Sequence, residues 1–583
     1  MKSKLLILIH YILRYKIGYL VGFTGLVITD IFWLLRPKII GNAVDSLKDP
    51  NSSHNITWYV SVFILVAVFE NLFRIIWRLK LIGASRNIER DIMNDYFKHL
   101  LKLDAQFYDK TSTGDLMARA TNDISSVRML LGPGMMALFD AFVVFSMTLF
   151  FMISLDLTLS MYAMLPFILV TFFLAFLMRK VFLYYDSVQA QFSTISARAQ
   201  ENISGIRVIK SHNREEFEIS EFDKVTRDYI RKFMRLTKYE SGIEPVIQFI
   251  GGIGVVVTLF LGGNAVIEGK ITLGELVQFF FYLMTMVWPV IAIGWSSTLF
   301  ERGFASLGRL EKIFNEKPKV KELLKDIMEF TPGDIEFKNV CFKFKDDGPE
   351  VLKNIDLTIP QGTTLGIVGS LGCGKSALIG LIPRIYQTTS GEICISGKNI
   401  NNLSIMSLRS EIGFVPQEPF LFSRDISQNI RLGRLDEPYS DEDIIKSLDI
   451  AEVHSEVNRF PDKLDTMLGE RGVRLSGGQK QRLTIARALD RNPSILILDD
   501  SLSSVDTNTE ESILSKLKDF MKERTNIIVA HRISSVKNAD MIIVLSEGKI
   551  VEKGTHFQLL KHGGFYTKLY KQQRLQQELE KQD

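Results

Sequence analysis

The sequence has few cysteines, little net charge and no cleavable leader, and each shortage argues against a class of protein. Its three cysteines, Cys341, Cys373 and Cys394, show neither a CxxC pair nor zinc-ligand spacing, which argues against a disulfide framework and fits a reduced compartment. A formal net charge of +4 over 583 residues gives no nucleic-acid signature. The basic stretch 1–16 lacks a small-residue cleavage site, so we predict an amphipathic elbow helix there.

Apolar residues, in contrast, are abundant and make up 46% of the chain. The N-terminal half contains six apolar stretches of roughly 20 residues, each long enough for about 30 Å of helix and so for the core of a bilayer. A large buried helical core is the alternative, but six such runs in succession favour membrane spans. We predict a six-span membrane domain over 17–310, with spans at 17–36, 57–79, 132–154, 158–179, 245–266 and 273–296.

Basic residues give the orientation of these spans. Lysine and arginine are concentrated between the second and third spans and between the fourth and fifth, whereas the other loops are poorer in them. The positive-inside rule therefore predicts that both long segments and both termini are cytoplasmic. Each segment keeps helical periodicity on both sides of a Gly/Ser/Thr interruption, at 111–115 and 203–205. We expect two extended helices joined by a short transverse element in each.

The pattern changes after Arg309. A polar linker at 311–333 precedes a region in which short β-branched runs alternate with helical ones, which predicts a mostly parallel α/β domain over 334–570. Beyond Tyr566 the chain is rich in Gln, Lys and Glu, so we expect a solvated helix ending in a polar tail at 571–583. The predicted strands are 335–344, 364–368, 393–395, 412–415, 495–498, 526–530 and 541–545.

Three short motifs in this domain point to a bound nucleotide. Gly-Ser-Leu-Gly-Cys-Gly-Lys-Ser at 369–376 is a phosphate cradle, in which Lys375 reaches the terminal phosphates and the hydroxyl of Ser376 reaches Mg²⁺. Leu-Ser-Gly-Gly-Gln at 475–479 opens a helix, whose N-terminus offers N–H groups to an anion. An apolar strand ends in Asp499, where Mg²⁺ must be held. The sequence therefore predicts ATP and Mg²⁺ as cofactors.

Together with the hydrophobic N-terminal half, these motifs resemble those of ATP-binding-cassette (ABC) exporters. The stretch 475–479 matches the family signature in full, while 469–472 resembles the X-loop and 503–506 the D-loop. The segments 107–119 and 201–210 resemble the two intracellular loops that carry coupling helices. The resemblance implies a multi-domain membrane protein, with a six-helix type IV exporter domain followed by an α/β P-loop ATPase domain.

The resemblance also implies roles for individual residues. Gln417 resembles the Q-loop glutamine that senses Mg²⁺, and His531 resembles the switch histidine that contacts the γ-phosphate. Phe344 lies where the family stacks an aromatic ring on adenine, with core packing as the alternative. The implied catalytic residues are Asp500, His531 and Gln417, and the implied metal ligands are Ser376, Gln417 and Asp499. The implied nucleotide contacts are Phe344, Gly369, Ser370, Leu371, Gly372, Cys373, Gly374, Lys375, Ser376, Ala377, Ser476, Gly477, Gly478 and Gln479.

One position departs from the family pattern. Directly after Asp499 the family usually has a glutamate that polarises the attacking water, and here the residue is Asp500. Its carboxylate is one methylene shorter, about 1.5 Å, and a displacement near 1 Å can cost about a hundredfold in rate. We predict that the part of the ATP site formed by this chain, its half-site, binds Mg-ATP well and hydrolyses it poorly.

This departure resembles the degenerate subunit of heterodimeric bacterial multidrug exporters. In the family each ATP lies between the cradle of one cassette and the signature of another. The resemblance implies a partner half-transporter that carries the missing glutamate, while the intact signature of this chain completes the partner's site.

Carboxylates inside the predicted spans need a reason, because burying them in lipid is costly. Glu70 and Asp140 lie at a similar depth and could line a cavity for cationic amphiphiles; the alternative is an internal pair of Glu70 with Arg74. Aromatic residues at 279–282 and Trp288 could contact hydrophobic cargo or pack against lipid.

Three functions stay open at this stage. They are a multidrug exporter, a homodimeric lipid or peptide translocator, and a regulatory subunit that moves nothing. The expected surroundings are the bacterial plasma membrane, a hydrophobic small molecule and a second half-transporter, without nucleic acid.

Overall fold

The chain folds into two compact units. The computed structural model describes residues 2–47, 55–321, 328–345, 347–434, 440–469, 472, 475–503 and 505–580, without the side chains of 2–5, 7, 167–172, 174, 175, 182, 247, 250, 507 and 576–580. The first unit is Met1–Leu101 with Gly114–Glu316, and the second is Lys102–Thr113 with Lys317–Asp583. Part of the predicted linker, 322–327, lies outside the described residues.

The described part of the first unit is helical. Its helices are α1 Lys2–Arg14, α2 Lys16–Ser46, α3 Ile56–Leu100, α5 Thr113–Ala118, α6 Ile124–Met129, α7 Met135–Leu155, α8 Leu157–Ser204, α9 Ile206–Ser211, α10 Glu215–Glu240, α11 Ile243–Ile267, α12 Leu273–Thr285 and α13 Val287–Asn315. Two π-helical turns, Arg119–Asp123 and Leu130–Gly134, join α5, α6 and α7 into one continuous run. The second turn contains Pro133, which cannot donate a helical hydrogen bond.

Five helical runs in the described part of the chain are long and apolar enough to cross a membrane. They contain the first, second, third, fifth and sixth predicted spans, in the runs Lys16–Ser46, Ile56–Leu100, Thr113–Leu155, Glu215–Ile267 and Leu273–Asn315. The fourth predicted span, 158–179, lies in α8, and several of its side chains are outside the described residues. Helix α2 continues to Ser46, so Lys38 lies within a helix, although the predicted first span ends at residue 36.

Helices α2 and α12 approach closely enough for their backbones to touch. A Cβ atom at Gly274 would lie 2.0 Å from the carbonyl oxygen of Gly41, so only glycine fits at this crossing. The Asp45 carboxylate accepts hydrogen bonds from the Gly274 N–H at 2.7 Å and from the Thr272 hydroxyl at 2.5 Å. These contacts fix the start of α12 against the end of α2.

The second unit contains two sheets. Its strands are β1 Ile335–Phe342, β2 Leu352–Ile359, β3 Thr364–Gly369, β4 Ser390–Ile395, β5 Lys398–Asn399, β6 Ile412–Val415, β7 Ile495–Asp499, β8 Thr525–Val529, β9 Met541–Ser546 and β10 Lys549–Gly554. The larger sheet has the order β10-β9-β3-β8-β7-β6 and is parallel except for the β9–β10 pair. The smaller sheet, β2-β1-β4-β5, is antiparallel throughout, so the prediction of a mostly parallel domain holds only for the larger sheet.

Helices cover the larger sheet and bring the site residues to one edge of it. They are α14 Lys375–Gly380, α15 Ile405–Ser410, α16 Ile426–Arg431, α17 Asp441–Ile450, α18 His454–Val457, α19 Gly477–Asp490, α20 Thr507–Met521, α21 His556–His562 and α22 Phe565–Glu580; α4, Ala105–Lys110, also belongs to this unit. Apolar residues from β3, β7, β8 and β9 form the two buried cores. The carboxyl ends of parallel strands meet at one edge of such a sheet, which is where ligands bind in α/β domains.

Candidate nucleotide site

The phosphate cradle lies between the end of β3 and the start of α14. Gly372 has φ +75° and Gly374 has φ +102°, which side chains other than glycine rarely adopt. A Cβ atom at Gly374 would lie 3.0 Å from the Leu352 side chain and 3.1 Å from the Val351 carbonyl oxygen. The backbone of this loop therefore depends on glycine for both its conformation and its space.

Lys375 is buried, and its side chain is hydrogen-bonded to the backbone of the cradle itself. Its ammonium group donates to the carbonyl oxygens of Gly369 at 3.0 Å and Ser370 at 2.9 Å. Cys373 is also buried, and its Sγ lies 3.9 Å from Lys375 Nζ. The carbonyl oxygens of the loop thus hold the ammonium group of Lys375 at the centre of the loop, where it can bind a polyphosphate.

Asp499 ends β7 and hydrogen-bonds to the side chain of Ser376. Burial raises the pKa of Asp499, and the charge of Asp500 raises it further, while Ser376, Lys375 and His531 lower it. Its Oδ1 is buried without a hydrogen-bond partner among the described residues. Such an orphaned oxygen needs a ligand, and paired carboxylate and hydroxyl oxygens are the donors that Mg²⁺ takes.

The residues therefore fit a magnesium ion. Ser376 and Asp499 would hold it, with Gln417 as the third predicted ligand. Gln417 is exposed in the loop that follows β6. Mg²⁺ bound there would neutralise phosphate charge.

Asp500 and His531 come together beside this position. The Oδ2 of Asp500 lies 3.9 Å from Nε2 of His531, and the histidine side chain is 39% exposed. Asp500 adopts φ +45°, a left-handed conformation in which Asp is among the better-tolerated residues. Its N–H donates to the Val529 carbonyl oxygen at 2.9 Å, which ties it to the end of β8.

Phe344 lies just after β1 and is partly exposed. Its ring meets those of Phe342 and Tyr386 edge to face, with centroids 4.9 Å and 5.4 Å away. The ring is therefore packed against two aromatic neighbours and partly exposed, and its contact with adenine stays a prediction.

Helix α4, which ends just before the predicted transverse element at 111–115, contacts this aromatic group within the second unit. Gln106 donates a hydrogen bond to the Phe344 carbonyl oxygen, and the Tyr386 hydroxyl donates to Asp109 at 3.2 Å. Burial, together with the charge of Asp109, raises the pKa of Tyr386 to about 12. These contacts connect α4 to the predicted adenine side of the site.

The signature forms the capped start of α19. Ser476 Oγ accepts from the Gln479 N–H at 3.2 Å, and Gln479 Oε1 accepts from the Ser476 N–H at 2.9 Å, which makes a capping box. Ser476 and Gly477, the first residues of this helix start, are exposed. Glu470 and Arg471 of the predicted X-loop and Ser504 of the D-loop lie outside the described residues.

The cradle and the signature do not form one contact network. Among the described residues, no hydrogen bond or ion pair joins Ser476, Gly477, Gly478 or Gln479 to residues 369–377. Instead, the Gln479 side-chain amide donates to Glu456 at 2.7 Å.

Sequence reasoning missed one residue of the site. Gln573 on α22 donates from its side chain to the His531 carbonyl oxygen at 2.7 Å and accepts from the Ile533 N–H at 2.9 Å. It lies in the predicted polar tail, where nothing distinguishes it from the neighbouring glutamines. Only its hydrogen bonds in the folded structure identify it as part of the site.

In the first unit, the surroundings of Glu70 match the predicted internal pair with Arg74 and not the lining of a cavity. It is fully buried and forms ion pairs with Arg74 and with Arg36, whose Nη2 lies 2.6 Å from Glu70 Oε2. The cavity-lining alternative is therefore wrong for Glu70, because both of its oxygens face guanidinium groups. Asp140 has a different environment and accepts a hydrogen bond from Trp288 Nε1 at 2.6 Å.

Comparison with known proteins gives consistent matches along the chain. The family pattern described as "ABC transporter transmembrane region" matches residues 19–290, and that described as "ABC transporter" matches 352–503. A Bacillus subtilis (strain 168) protein, "Probable multidrug resistance ABC transporter ATP-binding/permease protein YheI", is 35% identical over 96% of both chains. "Multidrug resistance-like ATP-binding protein MdlA" of Escherichia coli (strain K12) is 35% identical over 96% of this chain and 95% of its own.

Two further matches extend the comparison. The "ATP-dependent lipid A-core flippase" of Syntrophus aciditrophicus (strain SB) is 32% identical over 94% of this chain and 90% of its own. A solved structure, "Structure of a bacterial Atm1-family ABC exporter with ATP bound", superposes with a TM-score of 0.80 at 24% identity, covering 96% of this chain and 99% of that one. This likeness shows the fold.

Proposed function

This chain belongs to the ABC transporter family, with a membrane domain fused to an ATPase domain, and we propose that it is one half of a heterodimeric multidrug exporter. Its family makes it an ATP-hydrolysing, multi-pass membrane transporter of the multidrug and lipid exporter type, and such exporters act as dimers. Our proposal adds that it exports hydrophobic or amphiphilic compounds across the bacterial plasma membrane. It further places both termini in the cytoplasm.

One observation carries the heterodimer proposal, namely the aspartate that follows Asp499. Asp500 has the carboxylate of a general base without the length of glutamate, and it lies beside His531 at 3.9 Å. Lys375, Ser376 and Asp499, which we propose hold Mg-ATP, are all in place around the cradle. The half-site therefore binds nucleotide and turns it over slowly.

The signature supports the second half of the proposal. Its capping box is complete and its first residues are exposed, so it is ready to contact a nucleotide held by another cassette. We propose that Ser476, Gly477 and Gly478 complete the partner's site and that the partner provides the glutamate. The membrane domain is proposed to cover 17–310 and the ATPase domain 334–570, with the elbow helix, linker and tail as predicted.

The test is ATP hydrolysis by the full-length chain, purified alone and with the half-transporter that co-purifies with it. Alone, the chain is expected to hydrolyse ATP slowly, and Asp500→Glu is expected to raise its rate about a hundredfold. In the complex, Asp500→Asn is expected to leave the rate nearly unchanged. Asp519→Asn, an exposed carboxylate of the same domain, is the control for loss of one charge.

Vigorous hydrolysis by the chain alone that Asp500→Asn abolishes would contradict the proposal. That result would instead favour the homodimeric translocator, a candidate supported by the similarity to the lipid A-core flippase. Stimulation by lipid and not by hydrophobic drugs would point the same way. A complex that hydrolyses ATP without moving either cargo would leave the regulatory subunit as the explanation.

A further inference from the structure

The membrane helices of the first unit contain a cluster of five charged residues, which we name the charged cluster. It consists of Asp30 on α2, Glu70 on α3, Asp140 on α7, and the arginines Arg36 and Arg74. Charged groups at this depth are costly and persist where they are paired or functional. Pairing explains only part of this cluster.

Both arginines are bonded to the same carboxylate. Arg36 and Arg74 each form an ion pair with Glu70, a fully buried side chain, and each pairs with a different carboxylate oxygen. Among the described residues, neither Asp30 nor Asp140 has an ion pair within 4.0 Å. Three carboxylates therefore face two guanidinium groups, and when all are ionised one negative charge has no compensating cation.

Asp30 gives a second, independent observation. It is only 5% exposed, and its Oδ2 is buried without a hydrogen-bond partner among the described residues. It lies within electrostatic range of Asp140, Glu70 and Arg74. When it is ionised, a buried acceptor of this kind, unsatisfied by the protein, adds negative potential near Asp140.

Asp140 is the member of the charged cluster that contacts a partly exposed aromatic side chain, Trp288. The Trp288 indole N–H donates to Asp140 Oδ2 at 2.6 Å, while the ring itself is 43% exposed. Helices α7 and α13 are packed together beside the pair through Ala137, Ala141 and Ala292, which holds the two side chains in place. A carboxylate next to an accessible indole face is the combination that recognises organic cations.

We propose that Asp140 and Trp288 form a binding site for a monovalent organic cation attached to a hydrophobic body. Asp140 provides the counter-charge, Trp288 provides the aromatic face, and Asp30 adds negative potential when it is ionised. This assignment rests on the proposed export of hydrophobic compounds and names the charge of the cargo. A divalent metal is a poorer fit, since no group of three or more His, Cys, Asp or Glu side chains in the described part of the chain can hold one.

The test uses two probes of matched shape and opposite charge. Tetraphenylphosphonium is a hydrophobic cation and tetraphenylborate a hydrophobic anion, and equilibrium binding of each is measured on the assembled transporter in lipid nanodiscs without ATP. We expect the cation to bind saturably and at least tenfold more tightly than the anion after subtraction of binding to empty nanodiscs. Equal affinity for the two probes, or the reverse preference, would overturn the assignment.

Single substitutions test whether the cation binds at Asp140 and Trp288. Asp140→Asn keeps an oxygen for the Trp288 N–H but removes the charge, and it is expected to weaken cation binding about tenfold. Trp288→Leu is expected to weaken it about threefold, and Asp30→Asn to a similar extent. Glu268→Gln removes an exposed carboxylate of the same unit and serves as the matched control, with unchanged affinity.

The variants also separate this inference from the proposed function. If Asp140→Asn does not fold, the affinities of Trp288→Leu and Asp30→Asn decide the outcome, and wild-type affinity in both would overturn the assignment. Charge-selective binding without ATP-driven transport would leave the site standing and contradict the export proposal. Transport of uncharged drugs with no preference for the cation would leave export standing and contradict the site.

Discussion

The side chain of Gln573, on the last helix of the chain, donates a hydrogen bond to the carbonyl oxygen of His531 at 2.7 Å. The same side chain accepts from the Ile533 N–H at 2.9 Å, so one amide group spans the backbone on both sides of Arg532. Arg532 is itself anchored, through its ion pair with the buried carboxylate of Glu510 at 2.7 Å. The loop that presents the proposed switch histidine is therefore held by two elements distant in sequence.

Replacing Gln573 with leucine is expected to release this loop. ATP hydrolysis by the full-length chain purified alone, measured with Asp500→Glu so that its own half-site turns over, should fall about tenfold through kcat. The affinity for ATP, measured by fluorescent nucleotide binding, should stay within about twofold, because Lys375 and Ser376 are untouched.

The neighbouring glutamine provides the control for this experiment. Gln572 is exposed, so Gln572→Leu is expected to leave both quantities unchanged. Gln573→Glu can still accept from Ile533 but cannot donate to His531, and an intermediate rate is expected. A wild-type kcat in Gln573→Leu would show that α22 does not position His531.

Local motifs predicted the centre of the site correctly in structural terms. The cradle does follow a strand and open a helix, and Asp499 does end a buried strand, because each motif is a strand–loop–helix or strand end encoded by consecutive residues. The family comparison then confirmed the fold class expected from these motifs. The roles of the individual residues stay predictions.

Strands β2 and β10 and the long-range side-chain contacts could not be inferred from local sequence patterns. Strand β2 interrupts its apolar residues with Lys353, Asn354 and Asp356, and it pairs with β1 through irregular register, so its sequence has no clear β-branched run. Strand β10 lies at the sheet edge, and none of its six residues is buried. The contacts of Glu70 with Arg36 and of Gln573 with His531 join segments far apart in sequence, and only packing decides which side chains meet there.

The conformation of Gly374 leads to a second prediction. Alanine at this position combines an unfavourable φ of +102° with contacts to Leu352 and Val351, so Gly374→Ala is expected to lower the free energy of unfolding by about 1–3 kcal/mol and to abolish ATP binding. Gly397 has φ +73° with open space around it, which makes Gly397→Ala the control for backbone strain alone. That variant should be about 1 kcal/mol less stable and should bind ATP normally.

Thermal unfolding and nucleotide titration of the two variants measure both effects. ATP binding by Gly374→Ala at wild-type affinity would mean that the cradle does not need the observed backbone. Loss of binding in Gly397→Ala would mean that strain anywhere in the domain is enough to disrupt the site.

The capping box of α19 gives a third prediction. Ser476→Ala removes the hydroxyl that accepts from the Gln479 N–H, and it is expected to cost about 1 kcal/mol of stability. Because we propose that this serine also contacts the partner's nucleotide, hydrolysis by the heterodimer should fall about tenfold or more.

Thr555, which caps α21 in the same way, separates stability from function. Its hydroxyl accepts from the Gln558 N–H in an equivalent capping box. Thr555→Ala should lower the midpoint of thermal unfolding by a similar amount and leave hydrolysis by the heterodimer intact. Equal loss of hydrolysis in the two variants would reduce the role of Ser476 to that of a helix cap.

The fourth prediction concerns Asp490, a buried carboxylate at the end of α19. Both of its oxygens are buried without a hydrogen-bond partner among the described residues, and burial raises its pKa above the ordinary value of 3.8. A carboxyl group whose pKa is higher in the folded protein destabilises the fold when ionised, and this cost disappears as the pH falls through the folded pKa. Its position at a helix C-terminus adds to the cost, because the helix dipole is negative there.

Asp490→Asn is therefore expected to raise the midpoint of thermal unfolding near pH 7 by a few degrees, since about 1 kcal/mol corresponds to ~2–4 °C in a domain of this size. The gain should shrink as the pH is lowered towards the folded pKa and should vanish below the ordinary value. Asp519 is the control of opposite sign, because its hydrogen bond with Lys522 lowers its pKa and its charge stabilises the fold. Asp519→Asn should lower the midpoint slightly near pH 7, and a fall of the midpoint in Asp490→Asn would show that the ionised Asp490 is compensated by the protein.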